Sequence, residues 1–368
     1  MRFAARRLLP RFATAGHPLT YRIILRNLTR KRQAGLALLE DLGEMLPTFD
    51  EFNATKHLTL GRKGGSRRAV WPPAVLKEIA LPVLGPNQAL EVQTELTPLR
   101  RGMLRFKGVT LARTDPLGLF RSLADWEAPD SLVVLPRRYH LPAIALPGSR
   151  KYQQGGIALA SAVGESEEFI SLRDYRLGDP LRHMHWRSWA KVGKPIIKEF
   201  QDEFFVRHAL ILDTFADNPY DELFEEAVSV AASFACVIQT QESLLDLMFV
   251  GPRSYCFTAG RGLAYTDQML EILAAVAVCR TQPFAALEKL VLDHVNLVSG
   301  CVCVLIAWDE PRKKLVERLL ALGVPLLVLL LSPPGTDSLD PGPLRAQPEC
   351  FHVLPADAIA ERLLRLHP

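Results

Sequence analysis

The 368-residue sequence has no run of about 18 apolar residues, the length a helix needs to cross a bilayer. Its longest uncharged apolar stretch, Leu319 to Leu331, is interrupted by Gly323 and Pro325 and is expected to be a helix end followed by a buried strand. No secretory signal is recognisable at the start. The six cysteines, Cys236, Cys256, Cys279, Cys301, Cys303 and Cys350, all lie in the C-terminal half, and none forms a CxxC pair, which excludes the common zinc and redox spacings. That usage suits a reducing compartment. There is no GxSxG elbow, and GRKGGSR at residues 61–67 lacks the GK[ST] ending of a phosphate-binding loop. An ATP-driven step would therefore belong to a partner. Charge of one sign is not in excess either: 44 basic and 40 acidic residues leave +4, too balanced for a nucleic-acid wrapper or a disordered tail.

What is present is a chain long enough for two or three domains and a core that needs no disulfide or metal staple. Residues 1–150 read as an antiparallel β-sandwich of immunoglobulin-like type. Tyr21, Ile23 and Leu25 alternate with Arg22, Ile24 and Arg26, Leu90 to Leu96 alternates in the same way, and Leu104 and Phe106 oppose Arg105 and Lys107 before the turn at Asp115 to Gly118. His17 and His57 are isolated, so no catalytic constellation is expected there. The first 32 residues hold nine Arg or Lys and no acid. Basic residues on an edge strand discourage unwanted pairing, and the same arm could meet a membrane surface; Pro10 and the early β alternation argue against a transit peptide.

Residues 151–205 contain the densest motif, GESEEFISLRDYRLGDPLRHMHWRSWAKVGKPIIKEF from Gly164 to Phe200. Asp179 as N-cap, Pro180 at the first helical position and Gly193 at the end predict a helix over residues 180–192, followed by a strand at 195–200. His183 and His185 stand two apart, on opposite sides of such a helix, and cannot share one ion. Arg173, Asp174, Arg176, Asp179, Arg182 and His185 are instead expected to form a network of Arg–carboxylate bonds, with Trp186 and Trp189 packing the seam between domains. Two other uses of the same residues stay open. One is a metal-dependent hydrolase built on the Arg/Asp/His cluster; the other is a nucleic-acid-binding face of Arg187, Trp189 and Lys191.

The order EF, LRDYR, GDPLR, HW, SWAK and KEF closely resembles the signature of the bacterial Domain of Unknown Function family 58. The matching positions are Glu168, Phe169, Leu172, Arg173, Tyr175, Gly178, Asp179, Arg182, Trp186, Ser188, Ala190, Glu199 and Phe200, and the RRG at Arg100 to Gly102 and DPLGLF at Asp115 to Phe120 resemble the family's sandwich.

From residue 206 to 368, continuous apolar strands alternate with helices, beginning with HALILD, as in an open, mostly parallel sheet. The resemblance implies a von Willebrand factor A-like (Rossmann-like) α/β domain here, making the chain an α+β multidomain protein. Such a domain carries a D-x-S-x-S cation site at the end of its first strand. This sequence has Asp213-Thr214-Phe215-Ala216-Asp217 there, and Asp309 is the later candidate at a strand end. Phe215 cannot ligate a cation, so Mg²⁺ and other cofactors are not expected. Cys301 and Cys303 share a sheet face and read as buried packing. The resemblance further implies a non-catalytic interaction scaffold working with a MoxR-type AAA+ ATPase and protein clients in assembly or maturation of envelope or membrane complexes. Its expected location is the cytoplasm, or the cytoplasmic face of the inner membrane; the two membrane helices that often precede the family's sandwich are not in this sequence.

Overall fold

Alternation of apolar and polar residues lets the N-terminal strands bury one face and wet the other. The computed structural model describes residues 1–42, 74–115, 117–142, 169–176, 181, 184–200, 207–218, 221–240, 244–260, 263–336 and 338–366. The glycine-rich stretch 61–67, His57, Glu168, Gly178, Asp179, Pro180, Arg182 and His183 lie outside them. The first region holds β1 (Phe3–Leu8), β2 (Phe12–Thr14), β3 (Leu19–Asn27), β4 (Leu36–Leu42), β5 (Ala74–Leu76), β6 (Ile79–Ala80), β7 (Ala89–Pro98), β8 (Gly102–Thr114) and β9 (Arg121–Leu135). They form two sheets, β1-β3-β7-β5 and β2-β9-β8-β4-β6. Tyr21, Ile23 and Leu25 of one sheet meet Leu104, Phe106 and Leu132 of the other in a single apolar core. The sandwich is not wholly antiparallel, because β2 runs parallel to β9. The chain leaves one sheet around Pro10, which has no N–H to continue a ladder, and enters the other in the same direction as β9.

Strand β1 is an edge strand, with Arg6 exposed on it and Arg2 exposed just before it, as the basic arm predicts. Arg7 is different. Its buried guanidinium bonds Glu40 through Nε (2.9 Å) and Nη2 (2.6 Å), the Gly108 carbonyl through Nη2 (2.5 Å), and the Ala128 carbonyl. Tyr21 donates its hydroxyl to the same carboxylate at 2.9 Å, and burial followed by the Glu40 charge drives the phenol pKa upward. At Gly108 the β8–β9 register shifts, and a Cβ there would lie 2.5 Å from the Trp126 carbonyl oxygen. The Arg7–Glu40 bond therefore threads a bulge that only glycine fits.

The connecting motif comprises β10 (Phe169–Asp174), α1 (Trp186–Val192) and β11 (Ile196–Phe200). The helix expected over residues 180–192 begins only at Trp186. The backbone before it is held by β11 instead: Met184 bridges Ile197, and the His185 N–H donates to the Ile196 carbonyl at 2.8 Å. Gly193 closes the helix in the left-handed region at φ 73°, as predicted.

The C-terminal region contains β12 (Arg207–Leu212), α2 (Glu222–Thr240), β13 (Leu244–Val250), β14 (Ser254–Ala259), α3 (Leu263–Ala275), α4 (Ala285–His294), β15 (Gly300–Leu305), α5 (Glu310–Ala321), β16 (Leu326–Ser332), β17 (Phe351–Pro355) and α6 (Ile359–Leu364). The sheet order is β14-β13-β12-β15-β16-β17, parallel except for β14. Successive residues feed opposite faces: Leu210 and Leu212 pack with α2 and α3, while Ala209 and Ile211 pack with α4 and α5. Cys301 and Cys303 share the second face, and burial pushes the Cys303 thiol well up, as suits packing. Helix α3 ends at Ala275. Past that point the Cys279 N–H is drawn to the Thr214 carbonyl at 2.8 Å.

The two regions share a core. Leu135 and Leu141 join the cluster containing Phe224 and Phe234 of α2. Arg101 caps the end of α3 by donating to the Leu273 carbonyl at 3.0 Å and to Val276, and it pairs with Glu225.

Removing one partner of the buried Arg7–Glu40 pair should be costly. Arg7→Ala is expected to destabilise the sandwich by about 3–5 kcal/mol in urea denaturation. Arg22→Ala, whose partner Glu91 is exposed, should cost less than about 1 kcal/mol. Similar losses for the two would contradict the buried network.

Candidate functional site

Helices α2 and α5 follow the adjacent parallel strands β12 and β15 but pack on opposite faces of the sheet. The crevice at the C-terminal ends of these strands is thus a topological switch point, where open α/β sheets place their ligands. Asp213 follows β12 directly and is fully buried, its N–H donating to the Val304 carbonyl at 2.9 Å. Asp309 follows β15 and caps α5, accepting from the Arg312 N–H at 3.3 Å.

Between these carboxylates lies a guanidinium. Arg312 donates from Nε to Asp213 Oδ2 at 2.6 Å, from Nη2 to Asp213 Oδ1 at 3.1 Å, and from Nη1 to Asp309 Oδ2 at 2.6 Å. Its Nη2 also reaches the Phe215 carbonyl at 3.1 Å, and Cζ sits 4.9 Å from the centre of the Phe284 ring. The Phe215 N–H (3.0 Å) and the Ile306 N–H (3.2 Å) complete the donors around Asp213. Burial pushes the Asp213 carboxyl upward while Arg312 and the two backbone N–H groups pull it back. For Arg312, burial opposes the charge, but bonds to Asp213 and the charges of both carboxylates outweigh it and raise the pKa.

A cation site of the D-x-S-x-S type, which the sequence resemblance implies, does not fit these residues. Both Asp213 oxygens already accept from Arg312, Phe215 offers only a carbonyl that Arg312 also uses, and the Thr214 hydroxyl donates to the Val250 carbonyl at 2.5 Å. Asp217 is exposed and is not among the partners of Arg312. The resemblance pointed to Asp213, Asp217 and Asp309 as candidates but not to Arg312. The available signal was periodicity: Arg312 precedes Leu315, Val316 and Leu319 on the buried stripe of α5, where an apolar residue belongs.

The signature residues are gathered elsewhere. Phe169, Leu172 and Arg173 lie on β10, paired antiparallel with β11, which carries Glu199 and Phe200; Tyr175 donates its N–H to the Pro195 carbonyl, and Trp186, Ser188 and Ala190 are on α1. Glu168, Gly178, Asp179 and Arg182 lie outside the described residues. The tryptophans do not fill a seam: Trp186 stacks on Trp189 at 5.3 Å and is 65% exposed, because α1 is under two turns long and buries none of its residues. His185 Nδ1 meets Ser188 Oγ at 2.6 Å, and Arg173 donates to the Asp174 carbonyl at 3.2 Å.

With this geometry in view, similarity to known proteins is informative. Residues 171–304 match the family model described as Protein of unknown function DUF58. That segment runs from the signature strand through β12 and the Asp213 loop to β15. The chain is also similar to the uncharacterized protein YeaD of Bacillus subtilis (strain 168), 26% identical over 195 residues, covering 52% of this chain and 47% of that protein. The chain thus spans about half the length of this curated relative. Among solved structures, the CARDB domain of a Pyrococcus furiosus protein matches with a TM-score of 0.20 and 11% identity over 36% of this chain and 93% of that one. A Salmonella alpha-2-macroglobulin matches at 0.21 and 14% over 43% and 9%. The architecture therefore rests on the strand order and register above.

Arg312→Ala leaves Asp213 buried without a counter-charge and should cost about 3–5 kcal/mol in chemical denaturation. Asp309→Ala, which removes a half-exposed cap, should cost about 1 kcal/mol. Equal losses would contradict the central position of the guanidinium.

Proposed function

We propose that this chain is a non-catalytic interaction scaffold whose C-terminal half is a von Willebrand A-like domain. Support for the domain type comes from the doubly wound strand order, with the first strand central and an antiparallel edge strand. The observation that carries the functional reading is the Arg312 guanidinium held between Asp213 and Asp309. A resident positive charge stands where a divalent cation would otherwise bridge the protein to a partner's carboxylate. Two nearby groups that could act as nucleophiles are committed, the Thr214 hydroxyl to Val250 and the Cys279 thiol to the Gly251 carbonyl at 3.3 Å.

Around this locked centre the accessible rim is made of the half-exposed carboxylate of Asp309 and the partly buried rings of Phe215, Phe284 and Trp308. Aromatic anchors beside a charge are the composition of protein-interface hot spots. The partner proposed is a MoxR-type AAA+ ATPase, with protein clients, in assembly or maturation of envelope or membrane complexes on the cytoplasmic face of the membrane. Among the described residues no helix is long and apolar enough to cross a membrane.

Two measurements test this reading. The full chain should bind a MoxR-type ATPase from its own organism, and Trp308→Ala should weaken that binding about tenfold or more. Millimolar Mg²⁺ should leave the Tm of the unmodified protein unchanged. Undiminished binding by Trp308→Ala, or a Tm that rises with Mg²⁺, would contradict the proposal.

A further inference from the structure

One end of the sandwich brings exposed apolar and cationic side chains together. The β8–β9 turn is tightly built: the Asp115 carboxylate accepts from the Phe120 N–H at 2.7 Å and the Leu117 N–H at 3.3 Å, and Gly118 takes φ 71°. This tip carries Leu117, Leu119 and Phe120 outward, at 79%, 71% and 76% exposure. Folding stability gives no reason to hold three large apolar groups in water on a well-formed turn.

The loop between β3 and β4 lies beside it. Leu36 pairs with Arg113, and the Arg113 guanidinium donates to the Gln33 side chain, fixing the loop next to the tip. Asn27 braces the loop from within, donating to the Lys31 and Gly85 carbonyls at 2.9 Å each. Arg30, Lys31 and Arg32 are exposed on it. Arg2 and Arg26 join them: the Leu28 N–H donates to the Arg2 carbonyl at 3.1 Å, and both arginines line a shallow pocket with Gln33 and Leu84. Among the described residues, the nearby acids are already used, Asp115 by the turn and Glu78 by Arg121 at 3.0 Å. None of the described acids is therefore left to neutralise the cationic set locally.

We propose that this end of the sandwich docks on an anionic bilayer surface, with Leu117, Leu119 and Phe120 entering the interface and Arg2, Arg26, Arg30, Lys31 and Arg32 meeting the headgroups. A protruding apolar tip beside cations matches a fluid, negatively charged surface in both shape and charge. A nucleic acid would match the charge but leave the three apolar side chains in water. The proposal is independent of the scaffold reading, since it uses the opposite region of the chain.

The test is co-sedimentation of the full chain with vesicles of phosphatidylcholine alone and of phosphatidylcholine mixed with phosphatidylglycerol. Binding is expected on the mixed vesicles only, and it should weaken as salt rises. Leu119→Ser with Phe120→Ser should reduce it about tenfold or more. Arg30→Ala with Arg32→Ala should reduce it about tenfold or more, each cation being worth about fivefold. All four positions are exposed, and unchanged Tm values will show that the variants fold. No binding to mixed vesicles, equal binding to phosphatidylcholine alone, or binding indifferent to the Leu119 and Phe120 changes would overturn the proposal. The last result would instead mean that charge alone holds the chain on the vesicles and that the apolar tip serves another contact.

Discussion

A guanidinium buried between two strand ends governs the C-terminal half of this protein. Arg312 joins the loop after β12 to the first turn of α5, and through Asp213 it also orders the backbone at Phe215 and Ile306. Removing both charges from water is expensive, and the cost is offset only because nearly every donor and acceptor finds a partner at good distance. Such a centre is fixed in charge and geometry. It cannot open a coordination position without losing the counter-ion of a fully buried carboxylate.

The same device recurs at two other points. Arg207 forks onto Asp246 at 2.7 and 2.9 Å near the start of β12, where Thr258 adds a bond at 2.7 Å and ties in β14. Arg7 forks onto Glu40 inside the sandwich, crossing from one sheet to the other. Each pair joins segments far apart in sequence, so each selects one register among the alternatives that apolar packing alone would tolerate. Arg101 extends the pattern to the contact between the two regions by closing the end of α3. With that contact made, the rim around Asp309 and the exposed tip at Phe120 belong to one connected body.

Much of this was legible in the residues. The alternation of Tyr21, Ile23 and Leu25, the apolar run after Arg207 and the turn at Asp115 each fold as their patterns require, because burial of one or both strand faces decides them. The start of α1 was not legible. Asp179-Pro180 is a good local helix opening, yet the backbone at Met184 and His185 gains more by pairing with β11, a contact local spacing does not reveal. Asp213 and Asp309 stood out as acids at strand ends, but their partner came from 99 residues beyond Asp213, and only its intrusion on an apolar stripe marked it. Arg7 was hidden for a similar reason: in a stretch rich in arginine, nothing local separates the one turned inward from those facing water.

The Arg312 Nε–H resonance is the most direct probe of the locked centre. In the intact protein titrated with Mn²⁺, that proton should remain sharp and exchange slowly with solvent, since it is buried against Asp213 and no cation enters. Paramagnetic broadening centred on Asp213, Phe215 and Arg312 at stoichiometric Mn²⁺ would show that the site takes a metal and would contradict the central claim.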